Sequence, residues 1–77
     1  MNHDLFMRAI RAACFALTDN DRIPFVAAVR VAQSVAGERP RLVRLLDSAI
    51  TAFPAPMSLR ILRAAERHPA NSAPCPR

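Results

Sequence analysis

Four side chains in this sequence have the chemistry to hold a soft metal: His3, Cys14, His68 and Cys75. No two of them stand at zinc spacing, and a structural zinc site needs four ligands in a compact pattern, so no metal centre is expected. Cys14 could act as a nucleophile only with a lowered pKa, and its Ala and Phe neighbours predict a raised one. Ser34, Ser48 and Ser58 have no His near them in sequence, and Gly37, the single glycine, cannot build a phosphate cradle. Asp19 and Asp21 read as turn and cap residues rather than as an acid–base pair. The expectation is a non-enzymatic protein with no catalytic residues and no cofactor.

The side chains that do point outward are arginines. All eleven cations are Arg, and the net charge is +5. A GC-rich coding sequence would explain the lack of Lys, but guanidinium groups grip carboxylates and phosphates bidentately whatever their origin. Residues 1–38 balance four Arg against four acids, while residues 39–77 set seven Arg against Asp47 and Glu66. The helical period puts Arg60, Arg63 and Arg67 within about 60° of one another. Arg41 and Arg44 share the polar side of the preceding segment. Phe15 projects between Arg8 and Arg11, an aromatic-plus-Arg grouping typical of interface hot spots.

These groups must be carried by helices, since no segment alternates at period two. The first helix is expected over about 4–17, capped by Asp4 and apolar nearly all round, which predicts a central helix or one covered by a partner. Thr18-Asp19-Asn20-Asp21 is a turn cluster. The second helix, about 22–36, has Pro24 in its first turn and Gly37 as its stop. Its apolar stripe is Phe25, Val29, Ala32 and Ala36, widened by Ala28, Val31 and Val35 to an arc of roughly 200°, with Arg30, Gln33 and Ser34 as a narrow wet side. Pro40 opens the third helix, which stacks Leu42, Leu46, Ala49 and Phe53, with Leu45 and Ile50 beside them. Pro54-Ala55-Pro56 breaks the chain. The fourth helix, about 56–67, turns Met57, Ile61, Leu62 and Ala65 inward. Short connections make consecutive helices neighbours. The fold class expected is all-α, a small four-helix bundle of two helical hairpins over residues 1–68. A disordered Pro-rich tail, 69–77, follows.

A chain of 77 residues buries only about 60% of its unfolded surface, so an apolar excess at helices one and two predicts a partner protein or self-association. The first segment lacks the basic start of a signal peptide, no apolar run spans a membrane, and two unpaired thiols suit a reducing compartment, so a cytoplasmic location is expected. Ile10-Arg11-Ala12-Ala13, the turn Asp19-Asn20-Asp21-Arg22, Phe25-Val26-Ala27 with Val31-Ala32, and Arg41-Leu42-Val43-Arg44-Leu45-Leu46 together resemble the small helical module that precedes the ATPase core in some bacterial AAA-type ATPases. The likeness spans Leu5–Ile50. The nucleotide-binding core is absent, and Pro24, Pro40, Pro54 and Pro56 depart from the pattern. The resemblance implies a helical docking module without ATPase chemistry.

The function expected from the residues is stoichiometric binding. The chain would be an adaptor, regulator or inhibitor of a larger complex, in the manner of small phage- or mobile-element-encoded proteins. Arg8, Arg11, Phe15, Arg41, Arg44, Arg60, Arg63 and Arg67 would meet an acidic surface. The alternative is a small helix-turn-helix-like regulator that presents the Arg60–Arg63–Arg67 stripe to nucleic acid.

Overall fold

In a computed structural model of the chain, residues 2–67 are described. The expected tail, with Cys75, and the helix-end residue His68 lie outside them. Four helices follow one another: α1 (His3–Thr18), α2 (Arg22–Ala36), α3 (Pro40–Ala52) and α4 (Pro56–Glu66). They contact in a ring, α1 on α2, α2 on α3, α3 on α4 and α4 back on α1. The all-α bundle of two hairpins is the fold expected from the period.

Each boundary has a local cause. α1 starts one residue earlier than its sequence suggests, and its cap lies two residues earlier. Asn2, not Asp4, is the cap, its Oδ1 accepting the Leu5 N–H at 3.0 Å. Asp4 falls in the first turn instead, where its charge suits the helix dipole. α1 ends in a Schellman arrangement. The Asp21 N–H reaches the Ala16 carbonyl and the Asn20 N–H the Leu17 carbonyl, with Asn20 in the left-handed region at φ 56°. Gly37 stops α2 at φ 59°, ψ −110°, a conformation that L side chains rarely adopt, while its N–H still bonds the Gln33 carbonyl. Pro40 and Pro56 each occupy the first turn of a helix, where a missing N–H costs nothing. Asp21 sits at the α2 cap position without making a side-chain cap bond.

One apolar core joins all four helices, with Phe6, Ile10, Phe25, Val29, Leu42, Leu46 and Leu62 fully buried. Each large side chain so enclosed contributes about 1.5–3 kcal/mol relative to exposure. Ala9, Ala13, Ala32, Ala36, Ala49 and Ala65 fill the contacts between them, and small residues there let the backbones approach. Phe25 of α2 packs on Phe53 after α3 with ring centroids 4.7 Å apart. At the other end of the pair, the Gln33 amide donates to the Val43 carbonyl at 2.9 Å. Partners thus step in opposite directions along the two helices, which run antiparallel.

Three expectations about facing need correction. Gln33 is half-buried against α3 rather than on a wet side, because its amide satisfies a carbonyl there. Met57 is half exposed, and Ser58 takes the inward position with Leu62 and Ala65. α1 is not central. It buries Phe6, Ala9, Ile10, Ala13 and Ala16 on one face and leaves Leu5, Ala12 and Phe15 in water.

The Ser58 inversion has a specific origin. Near the end of α3 the Phe53 N–H bonds the Ile50 carbonyl, and Pro54 has no N–H to offer. The Ala49 carbonyl is left without its usual backbone donor. Ser58, fully buried in the first turn of α4, supplies one, its Oγ donating at 2.9 Å. A polar side chain is buried here because the end of a neighbouring helix needs a donor.

Candidate functional site

The outer surface concentrates two kinds of group that usually avoid each other. Phe15 is 73% exposed and Ile23 82% exposed, with Val31, Leu5, Met57 and Leu59 less so. Ile23, Ala27 and Val31 fall one turn apart on the outer side of α2. That stripe follows from the period, since residue 23 lies about 200° from residue 25. It needed only a count on the face opposite Phe25.

Arg8 and Arg11 flank Phe15 on α1 and are exposed, as expected. Arg60 and Arg63 are exposed on α4 and Arg67 at its C-cap, and no ion pair of the three is seen among the described residues. Arg41 and Arg44 are exposed on α3. Asp47 pairs with Arg30 across α2 and α3 at 3.3 Å, and Arg30 also donates to the Gln33 Oε1 at 2.8 Å. Both side chains of that pair are more than half exposed, so it contributes little, and its place beside the Gln33–Val43 bond makes it a register contact.

The ring order divides the proposed contact residues. α4 packs on α1, whereas α3 does not. Arg8, Arg11 and Phe15 lie on the outward face of α1, opposite its buried residues, and Arg41 and Arg44 lie on α3, which does not contact α1. A shallow groove on the α1 side is lined by Arg11, Cys14, Phe15 and Thr18. The Thr18 hydroxyl is spent on its own helix, donating to the Cys14 carbonyl at 3.0 Å. Cys14 is half-buried and packs against the edge of the core. Burial pushes its thiol above the ordinary range, the Glu66 carboxylate adds to that, and the Arg63 guanidinium partly offsets it.

Among the described residues no group of three His, Cys, Asp or Glu could hold a metal ion, and no helix is long and apolar enough to cross a membrane. Comparison with protein-family models, with characterised proteins and with solved structures gives no match.

Proposed function

We propose that this chain is a non-enzymatic interaction module that acts by stoichiometric binding, as an adaptor, regulator or inhibitor of a larger complex. The observation that carries the proposal is Phe15. A whole aromatic ring is left 73% in water on a helix that buries Phe6 completely, and it stands between two arginines. A buried aromatic and an Arg are what dominate binding energy at protein interfaces. The likeness of Leu5–Ile50 to an ATPase-associated helical module agrees with docking. Arg60, Arg63 and Arg67, with Arg41 and Arg44, would supply the charged rim to an acidic partner. Self-association through the same apolar surplus belongs to the proposal.

A second reading rests on a separate observation. Arg60 and Arg63 on α4 and Arg67 at its C-cap form an exposed cationic line. Such a line could lie along a phosphate backbone. The two readings separate by salt. Three phosphate contacts give a slope of log K against log salt of about −3 on duplex DNA, whereas an apolar interface is far flatter. A gel-shift titration on generic duplex, beginning at low salt, should show no shift, or one that Phe15→Ser leaves untouched. A steep shift abolished by Arg60→Glu, Arg63→Glu and Arg67→Glu together, with helix content intact, would replace the first reading by the second.

A further inference from the structure

We infer that the outward face of α1 pairs with the same face of a second copy of this chain, antiparallel and two-fold about Phe15. Each Phe15 ring enters a hollow on the other copy, and each Arg11 lies opposite the other copy's Asp19. This deepens the interaction reading above, whose self-association it specifies, and rests on it. The first observation is the shape of the surface. Arg11, Cys14, Phe15 and Thr18 line a shallow hollow on α1. Their spacing is i, i+3, i+4, i+7, that of the four-residue hole which receives one side chain of a facing helix in knobs-into-holes packing. The hollow opens away from the buried face of Phe6, Ala9, Ile10, Ala13 and Ala16, and the Thr18 hydroxyl is already spent on the Cys14 carbonyl. Phe15, 73% exposed, is the knob that such a hole takes. Knob and hole sit at the same height on one helix, so two antiparallel copies of α1 fill both holes at once.

The second observation is the order of charge along that face. Arg8 and Arg11 precede Phe15, Asp19 and Asp21 follow it, and all four are exposed. No ion pair of the four is seen among the described residues, and Asp21 makes no side-chain cap bond. Reversing the helix about Phe15 carries position 11 onto position 19, each about 6 Å from the centre. Arg11 of one copy then faces Asp19 of the other, twice per pair, so the face is complementary to itself. The third observation is the division of net charge. The chain carries +5, yet residues 1–38 set four Arg against four acids. Two like copies repel least where their neutral halves meet, and Arg41 and Arg44, on a helix that does not touch α1, stay outside the contact. The outer stripe of α2, Ile23-Ala27-Val31, is the other exposed apolar line, and its neighbour Arg30 is already engaged with Gln33 and Asp47.

Sedimentation equilibrium of the full chain under reducing conditions tests the pairing. Each copy contributes one helix of 16 residues, a small contact, so a monomer–dimer equilibrium with a dissociation constant of about 10–500 µM is expected. Phe15→Ser should raise that constant about a hundredfold or more, since each dimer loses two buried rings. Arg11→Asp and Asp19→Arg should each raise it about tenfold, because like charges then face each other twice. Mixing those two variants in equal amounts puts opposite charges face to face at both ends, so the mixture should pair as well as the parent while each variant alone does not. All three positions are exposed, so the variants keep the fold, which circular dichroism checks, and Ile23→Ser should pair as the parent does. A chain that stays monomeric at about 1 mM, a dimer indifferent to Phe15→Ser, a mixture no better than its components, or a dimer that forms only with added DNA duplex would overturn the pairing. A dimer lost on Ile23→Ser but kept by Phe15→Ser moves self-association to α2, and then the pairing fails while the interaction reading stands. The same holds for a monomeric chain that loses a native protein partner on Phe15→Ser.

Discussion

Ser58→Ala removes one oxygen from the interior and tests why that oxygen is there. Ser58 has no exposure, and its Oγ is the donor that reaches the Ala49 carbonyl, at 2.9 Å. Water cannot take over easily at a site with no accessible surface. A buried acceptor left unpaired costs about 1–3 kcal/mol. Alanine returns a few tenths through helix propensity, less than in mid-helix because position 58 lies in the first turn. The net loss should be about 1–2 kcal/mol. For a domain of this size that lowers Tm by about 5–15 °C, read by circular dichroism. Urea unfolding should show a lower midpoint at constant slope, the mark of a change in stability alone. Ser48→Ala is the control. Its hydroxyl also bonds a carbonyl, that of Arg44 at 3.1 Å, but on the exposed side of α3, so its removal should be neutral or slightly stabilising. If Ser58→Ala matches Ser48→Ala within about 0.3 kcal/mol, orphaned-carbonyl capping is not what buries Ser58.

Three further outcomes follow from particular contacts. Gly37→Ala should cost about 1–3 kcal/mol from backbone strain alone, since the nearest atoms to an added Cβ are 3.9 and 4.0 Å away, while Asn20→Gly should be neutral or slightly stabilising; thermal melts compare the two. Arg30→Ala should change stability by less than about 0.5 kcal/mol because the ion pair is exposed, and Gln33→Ala should cost more, about 1 kcal/mol, because its amide bonds Val43 from a half-buried position; chemical denaturation of both variants checks the order. The folded state holds the Cys14 proton more tightly than the unfolded chain does, so the unfolded state ionises first as pH rises. That contribution is complete below the thiol's unfolded pKa and is lost as pH climbs through the folded one, so Cys14→Ala should flatten the alkaline side of the stability profile, and alkylation of Cys14 should lag behind that of a free thiol at every pH in that window.

The helices were legible in the sequence because their causes are local. Pro40 and Pro56 can start a helix and cannot continue one, Gly37 can adopt a positive φ cheaply, and the stripe Phe25-Val29-Ala32-Ala36 repeats at the helical period and is buried throughout. The exposure of Phe15 between Arg8 and Arg11, and of Arg60, Arg63 and Arg67, follows from the same period. What required the tertiary structure was every fact that depends on a neighbouring helix. Hydrophobicity favours Met57 over Ser58 for the core, but Ser58 shares the i, i+4, i+7 face of Leu62 and Ala65, and the Ala49 carbonyl of α3 gives its buried hydroxyl a partner. Gln33 looks solvated until Val43 stands opposite it. The packing of α4 against α1, which brings the Glu66 and Arg63 charges to bear on Cys14, is invisible along a chain that separates them by some fifty residues. Periodicity specifies which face of a helix turns inward, but the ring order and the rotation of each helix within it come from packing and from which buried polar atoms still lack a partner.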